Sequence, residues 1–291
     1  MTTEQTALPV VSSAVTLDRR RFNRLSELIT RELGIRMPPA KLTMLQSRLQ
    51  RRMRELQMRS LDEYEAHLFE AGSASGELIH FFDIVTTNKT DFFREPQHFD
   101  FLAKTALPTM ARENHLEARW NFKLWCAGCS SGQEVYTLSM VLSEYAAAHS
   151  GFSFSMLATD ISTRILDQAQ RAIYTEEIIA PVTMDLRKKY LLRSADRARR
   201  LVQIAPELRR KVRFGRLNFM DREYGIRDEF DVIFFRNVMI YFDKPTQEAV
   251  INRMCRNLRP GGYLFISHSE SLAGLNVPLE VVGNSVFRRT R

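Results

Sequence analysis

Apolar residues in the first part of the chain recur every three or four positions, which is the spacing of one helix face. One stripe follows Asp18, which can serve as an N-cap, and ends at Gly34, and a second runs from Leu42 to Leu56 after a Pro-Pro break. Shorter stripes at 61–71 and 76–85 flank a Gly-Ser-Ala-Ser-Gly joint. The pattern predicts a small helical domain at 18–85, preceded by a flexible tail at 1–17.

From Phe122 the pattern changes to short buried strands that alternate with helices. Strands are predicted at 122–126, 153–159, 211–217, 230–235, 262–267 and 285–289, and helices at 97–110, 133–148, 163–172 and 245–258. Such alternation is typical of a mostly parallel sheet with helices on both faces, so the predicted fold class is α/β. A polar linker at 86–96 joins this domain, 97–291, to the helical one.

Charge is unevenly distributed along the chain. Residues 17–60 contain 12 Lys+Arg against 4 Asp+Glu, and residues 187–216 contain 12 against 2, which gives +8 and +10. Because the net charge is +8, the remainder of the chain carries −10. Two basic patches on an acidic body predict a partner with concentrated negative charge, such as nucleic acid, an anionic surface or an acidic protein helix.

The composition bounds the class of protein. With 291 residues and 44% hydrophobic content, the chain can form one large core and a smaller one. No apolar run reaches the roughly 18–20 residues of a membrane-spanning helix, and three cysteines cannot all pair. We therefore expect a cytoplasmic protein without membrane insertion or disulfides.

Three groups of residues lie where predicted strands end. A small-residue turn, Gly128–Gly132, follows the first strand, Asp160 ends the second, and Arg236 and Asn237 follow a later one. These positions meet at one edge of a parallel sheet, where an acid after the second strand typically binds a ribose diol. The turn has neither the dinucleotide nor the phosphate-loop motif. We therefore expect an adenosine ligand without a pyrophosphate, S-adenosylmethionine.

Metal binding is not predicted. Cys126 and Cys129 have the spacing of half a zinc site, but the sequence contains no second pair, and both lie in the turn. His268 follows a predicted strand and is expected to have a structural role or to line the wall of the pocket.

Five segments resemble the chemotaxis receptor methyltransferases of the CheR family. They are 86–95 (TTNKTDFFRE), 125–134 (WCAGCSSGQE), 158–161 (ATDI), 235–243 (FRNVMIYFD) and 267–270 (SHSE). The resemblance implies a class I S-adenosylmethionine-dependent methyltransferase fold, which is Rossmann-like with a mostly parallel seven-stranded sheet. It also implies an N-terminal all-α domain and a small antiparallel β insertion at about 187–216.

The implied activity is methyl transfer from S-adenosylmethionine to glutamate side chains on the cytoplasmic helices of chemoreceptors, with S-adenosylhomocysteine as the product. Because a glutamate with a pKa of about 4.3 is already an anion at pH 7, the reaction needs no general base. The chain must instead orient the reactants and exclude water.

The resemblance also implies roles for single residues, and it makes the linker at 86–96 a lid over the pocket. The implied cofactor-binding residues are Asn88, Thr90, Arg94, Gly128, Glu134, Asp160, Asn218, Phe219, Arg236 and Asn237. The two candidate catalytic residues are Arg94, for holding the substrate carboxylate or the cofactor, and Tyr241, for positioning the acceptor.

Receptor docking is assigned to the basic second helix. Family members that bind a receptor C-terminal pentapeptide usually have a glycine-bearing loop in the β insertion, but residues 191–202 contain no glycine. We therefore expect the insertion to be present without pentapeptide tethering. The candidate docking residues are Lys41, Arg48, Arg51, Arg52 and Arg59.

Two other functions remain open at this point. An RNA methyltransferase would use the basic patches to contact phosphates, and a non-catalytic adapter would only sense the cofactor. Because the sequence has no recognisable RNA-binding module and no basic surface interleaved with aromatic residues, chemoreceptor helices are the expected partner rather than nucleic acid. The protein is expected to be a monomer.

Overall fold

Residues 16–70, 76–113 and 119–290 are described by a computed structural model. The chain divides into a smaller unit, Met1–Arg31 with Met37–Thr86, and a larger one, Glu32–Arg36 with Thr87–Arg291. Most of the predicted tail and the joint between the third and fourth helices lie outside the described residues. Leu17, at the end of the predicted tail, is buried, and its N–H donates to Gln46 Oε1.

The smaller unit is helical. Its helices are α1 (Arg19–Leu33), whose last two residues belong to the larger unit, α2 (Leu42–Glu55), α3 (Leu61–Glu70) and α4 (Gly76–Val85). The predicted apolar stripes face inward: Leu25 and Ile29 of α1 and Leu45 and Leu49 of α2 are almost completely buried. The all-α character expected of this unit is confirmed.

The larger unit contains strands that we number in chain order. They are β1 (Trp120–Ala127), β2 (Phe152–Asp160), β3 (Ile173–Thr175), β4 (Leu191–Arg193), β5 (Leu201–Ile204), β6 (Val212–Arg216), β7 (Phe230–Phe234), β8 (Leu258–Phe265), β9 (Leu279–Gly283) and β10 (Val286–Arg289). Its helices are α5 (Pro96–Phe101), a π-helical segment (Leu102–Ala106), α6 (Leu107–Glu113), α7 (Gln133–Ala148), α8 (Thr163–Arg171), α9 (Met184–Tyr190), α10 (Pro206–Arg209) and α11 (Lys244–Arg256).

Among the described residues, seven strands form one sheet in the order β6-β2-β1-β7-β8-β10-β9. The first five are parallel, and β10 pairs antiparallel with β8 and β9. The predicted seven-stranded, mostly parallel sheet is confirmed. After β1 the chain continues to β2 on one side and later returns to β7 on the other, so the switch point lies between β1 and β7.

Alternate residues of β1 supply the cores on the two faces of this sheet. Leu124 and Cys126 belong to one apolar cluster, and Trp125 and Ala127 belong to the other. All four side chains are fully buried, so β1 is a central strand. No helix among the described residues is long and apolar enough to cross a membrane.

A second, antiparallel sheet has the order β3-β5-β4. The presence of an antiparallel insertion is therefore confirmed. The insertion was expected at about 187–216, whereas the strands of this sheet run from Ile173 to Ile204. Val212–Arg216 instead pairs in parallel with β2 as the edge strand of the main sheet.

Candidate active site

The turn after β1 is attached to the neighbouring strand. The N–H groups of Gly128 and Cys129 both donate to the carbonyl oxygen of Thr159, at 2.8 and 2.9 Å. Gly128 has a φ of +78°, and a Cβ at this position would lie 2.5 Å from Val238 Cγ2. The backbone therefore passes too close to the loop after β7 for a side chain to fit, and glycine is required.

Asp160, the last residue of β2, lies beside this turn, as predicted from its position at the end of a strand. Its carboxylate accepts hydrogen bonds from the N–H of Ser130 at 2.9 Å and of Ser162 at 3.0 Å. The side chain is only 7% exposed. These contacts hold the carboxylate in one orientation at the edge where the ligand was expected.

Arg236 is the central charge of the site. Its guanidinium, 1% exposed, donates to Glu134 Oε2 at 2.7 Å and lies 3.1 Å from Glu95 Oε2. It also donates to the carbonyl oxygen of Arg94 at 2.6 Å and lies over the ring of Phe99. One buried arginine thus connects the end of β7, the start of α7 and the segment before α5.

The segment predicted to be a lid packs on the turn. The hydroxyl of Ser130 donates to the carbonyl oxygen of Asn88 at 2.9 Å, and the N–H of Phe93 donates to Thr137 Oγ1 at 3.2 Å. Phe92 is buried and contacts Tyr174 edge to face, with 5.1 Å between ring centroids. The structure therefore brings residues 88–95 to the same edge of the sheet as the turn.

A polar cluster after β7 and β8 completes this edge. The amide of Asn237 donates to Ser267 Oγ at 2.7 Å, and the N–H groups of Asn237 and Ser267 donate to Glu270 Oε2. Ser267 in turn donates to Glu95 Oε1 at 2.7 Å. Burial raises the pKa of Glu270, although these backbone N–H groups oppose the shift.

Glu95, Ser267 and Glu270 were not among the residues assigned to the site from the sequence. Each lies in a segment that carries the family resemblance, 86–95 or 267–270. The family resemblance therefore could have indicated these residues. Their contacts could not be predicted, because they join residues from distant parts of the chain.

Asn218 and Phe219 lie after β6. The Asn218 amide donates to the carbonyl oxygen of Glu32 at 2.7 Å, and Phe219 packs edge to face on Phe235 at 5.0 Å. The N–H of Arg36 donates to the carbonyl oxygen of half-buried Tyr241 at 2.9 Å. Residues 32–36 therefore contribute to the larger unit, which their sequence pattern, a helix end followed by glycine, did not indicate.

His98 is buried behind this edge. Its Nε2 lies 3.3 Å from the carbonyl oxygen of Asn284, and its Nδ1 lies 3.5 Å from Glu95 Oε2. Burial, helped by the positive charge of Arg236, lowers the pKa of His98 to about 4, although Glu95 opposes the shift. The ring is therefore neutral at pH 7.

Cys126 and Cys129 are both buried thiols. Cys126 was expected in the turn but is the penultimate residue of β1, and Cys129 lies in the turn. Cys126 donates to Glu134 Oε1 at 3.4 Å, and the Sγ of Cys129 lies 3.7 Å from the carbonyl oxygen of Ser130. Burial raises the pKa of both thiols, so they remain protonated at pH 7.

The candidate docking residues have different surroundings in the smaller unit. Arg48 donates to the carbonyl oxygens of Ile84 and Thr86 at 2.8 and 2.9 Å, and Arg52 pairs with buried Glu77 at 2.6 Å. These two guanidinium groups therefore stabilise the unit itself. Lys41 is half-buried, and the exposed members of the set are Arg51 and Arg59.

The sequence matches two family models, the CheR methyltransferase all-alpha domain over residues 20–86 and the CheR methyltransferase SAM binding domain over residues 88–287. The chemotaxis protein methyltransferase of Klebsiella aerogenes is 35% identical over 98% of this chain and 94% of its own length. That of Borreliella burgdorferi is 34% identical over 94% and 96%. Chemotaxis protein methyltransferase 2 of Pseudomonas aeruginosa is 35% identical over 92% of each chain. The chain belongs to the CheR family of S-adenosylmethionine-dependent methyltransferases.

Proposed function

We propose that this protein transfers the methyl group of S-adenosylmethionine to glutamate side chains on the cytoplasmic helices of chemoreceptors. The observation that carries the proposal is the meeting of Glu134, Asp160 and Arg236 at the carboxyl ends of parallel strands, beside the switch point. Membership of the CheR family supports both the cofactor and the class of substrate.

The charges of the site suit this cofactor. S-adenosylmethionine carries a sulfonium, an ammonium and a carboxylate. We propose that Asp160 binds the ribose hydroxyls, that Glu134 faces the ammonium, and that the Gly128 backbone allows the cofactor to approach. Residues 88–94 would cover the cofactor, and Asn218, Phe219 and Asn237 would line the remaining wall. Glu95 and Glu134 both pair with the buried guanidinium of Arg236, and the carboxylate of Asp160 lies beside the turn at the same edge. Three carboxylates against one guanidinium favour a ligand with positive groups.

The transfer step requires no proton movement. A carboxylate oxygen of the substrate glutamate attacks the methyl carbon, and the C–S bond breaks as the C–O bond forms. The electron pair goes to sulfur, so the products are a methyl ester and the neutral thioether S-adenosylhomocysteine. The chain's own residues therefore act by alignment and water exclusion.

Methyl transfer from tritiated S-adenosylmethionine separates the candidate functions. The protein is incubated in parallel with chemoreceptor-containing membranes and with total RNA. Label in receptor protein that mild base releases would identify a carboxyl methyl ester and support the proposal. Label in RNA would support the RNA methyltransferase, and cofactor binding without transfer to either would support the adapter.

Arg94→Ala and Tyr241→Phe are expected to impair transfer. The carbonyl oxygen of Arg94 accepts from Arg236, and the partly exposed guanidinium of Arg94 lies 3.4 Å from the carbonyl oxygen of Lys89 in the same segment. Hydrogen bonds to charged groups contribute about 1.5–3 kcal/mol, so Arg94→Ala should lower kcat/KM about 10- to 100-fold, and Tyr241→Phe by up to about tenfold. Arg222→Ala, at an exposed position outside this segment, is the control. Unchanged turnover and cofactor affinity in both variants would contradict these roles.

Docking is proposed to use the exposed members of the basic set, Arg51 and Arg59. The double variant Arg51→Glu/Arg59→Glu should raise the KM for receptor about three- to tenfold at low salt with little change in kcat, because exposed charges contribute up to about 1 kcal/mol each. High salt should reduce the difference. Arg222→Glu/Arg256→Glu, at two exposed positions in the larger unit, matches the change in net charge. An equal rise in KM in that variant would exclude a specific role for Arg51 and Arg59.

Receptor tethering through the small sheet is not expected. The connection between β4 and β5 contains no glycine. Its last residue, Arg200, has a φ of +48°, and the Arg200 guanidinium pairs with Glu176 at 3.2 Å. Titration calorimetry with a receptor C-terminal pentapeptide should therefore give no binding in the micromolar range. A micromolar Kd would contradict this prediction.

A further inference from the structure

Three potential metal ligands meet beyond the carboxyl end of β8. One ligand atom each from Glu95, His98 and His268 lies within 4.8 Å of the others. Glu95 is the N-cap of α5, His98 lies in the first turn of that helix, and His268 comes from a distant part of the chain. No motif in the sequence indicates that His268 would lie beside the other two residues.

His98 supplies an orphaned buried nitrogen. The ring is 1% exposed, and its Nδ1 has no hydrogen-bond partner among the described residues. The Asn284 carbonyl near Nε2 can only accept, so the proton of the neutral ring belongs on Nε2. Nδ1 therefore directs a lone pair toward Glu95 Oε2, 3.5 Å away, with no proton between the two atoms.

This separation fits two ligands of one ion. Zinc lies about 2.0–2.1 Å from a histidine nitrogen and about 2.0–2.2 Å from a carboxylate oxygen, so two ligands of a tetrahedral ion are about 3.4 Å apart. The outer contacts that orient metal ligands are also present. Ser267 donates to Glu95 Oε1, His98 contacts the Asn284 carbonyl, and His268 Nδ1 lies 3.4 Å from Ser285 Oγ.

Arg236 is the competing cation, since its guanidinium lies 3.1 Å from Glu95 Oε2. Glu134 and the carbonyl oxygen of Arg94 hold the same guanidinium at 2.7 and 2.6 Å. Arg236 therefore keeps a second counter-ion when Glu95 also binds a metal ion, and the positive charge of Arg236 weakens metal binding without preventing it.

We propose that Glu95, His98 and His268 form a binding site for a divalent transition-metal ion of the zinc type, with water as a further ligand. Two imidazoles and one carboxylate are a recurrent zinc donor set, and imidazole selects transition metals over magnesium and calcium. His268 is exposed, which gives the ion a path from solvent. This binding property is separate from methyl transfer, which uses no metal in the step described above.

Binding of Zn²⁺ and Co²⁺ to the chelator-treated full-length protein tests the proposal. Zn²⁺ affinity is measured by competition with a chromophoric chelator, and Co²⁺ is followed through its visible d–d absorption. The wild type should bind one Zn²⁺ per chain. His268→Ala, which changes an exposed side chain, should weaken Zn²⁺ at least about 10- to 100-fold, since changes to outer contacts alone have effects of that size. Glu95→Gln should have the same effect.

The control is His67→Ala, at an exposed histidine of the smaller unit, which should bind Zn²⁺ like the wild type. Circular dichroism confirms that the variants are folded. The proposal is overturned if the wild type shows no Zn²⁺ binding and no Co²⁺ absorption bands. It is equally overturned if His268→Ala and Glu95→Gln, both folded, bind Zn²⁺ as tightly as His67→Ala.

Discussion

Replacing Arg236 with methionine is expected to abolish methyl transfer and to lower the free energy of unfolding by about 3–5 kcal/mol. The guanidinium is buried between Glu95 and Glu134 and donates to the Arg94 carbonyl. Methionine would fill much of the volume but would leave both carboxylates without their counter-ion. Denaturant unfolding and turnover with receptor membranes measure the two effects.

Two further variants separate the effect of the buried charge from that of any arginine substitution. Arg236→Lys keeps the positive charge but cannot reproduce the planar set of donors, so its stability and activity should lie between those of Arg236→Met and the wild type. Arg222→Met changes an exposed arginine and should alter stability by no more than about 0.5 kcal/mol. Equal free energies of unfolding for Arg236→Met and Arg222→Met would contradict the expected loss of stability from two carboxylates without a counter-ion.

Asp160→Asn is expected to weaken the binding of S-adenosylhomocysteine about 100-fold, equivalent to about 2.7 kcal/mol. The carboxylate accepts from two backbone N–H groups, whereas an asparagine amide has only one acceptor oxygen and would direct an N–H₂ group at one of these donors. The turn at Ser130 and the proposed contact with the ribose would both be disturbed. Calorimetric titration with S-adenosylhomocysteine measures the loss.

Asp167→Asn is the matched control, because Asp167 is exposed on α8 close in sequence to Asp160. Its affinity for S-adenosylhomocysteine should equal that of the wild type. Wild-type affinity in folded Asp160→Asn would remove Asp160 from the proposed cofactor contacts.

The helices and strands in which apolar residues recur at regular spacing could be predicted from the sequence. The stripes of α1 and α2, and the apolar runs of β1, β2 and β7, are each long enough for the period to show which residues are buried. The β9 strand was missed because most of its residues are exposed and an edge strand has little burial pattern. The small sheet was expected, but its first strand, Ile173–Thr175, is too short to be recognised as a strand.

The residues at the strand ends illustrate the same difference between what the sequence predicts and what it does not. From the sequence alone, the small-residue turn, Asp160 and Arg236 could be assigned to the ends of strands, because strand ends in a parallel sheet share one edge. The absence of the dinucleotide and phosphate-loop motifs then predicted S-adenosylmethionine, and the family resemblance implied the same cofactor. The partners of each side chain could not be derived, since hydrogen bonds and ion pairs depend on distances between segments that are remote in sequence.

The sequence by itself determined the longer helices and strands in their order, the edge of the sheet that carries the site, and the family. Only the tertiary structure decided that Arg236 lies between Glu95 and Glu134, and that Arg48 and Arg52 stabilise the helical unit. It also brought Glu95 and His98 to His268. The physical reason is that periodicity records which residues are buried, whereas burial of a charge selects its counter-ion from whichever residues the fold places within a few ångströms.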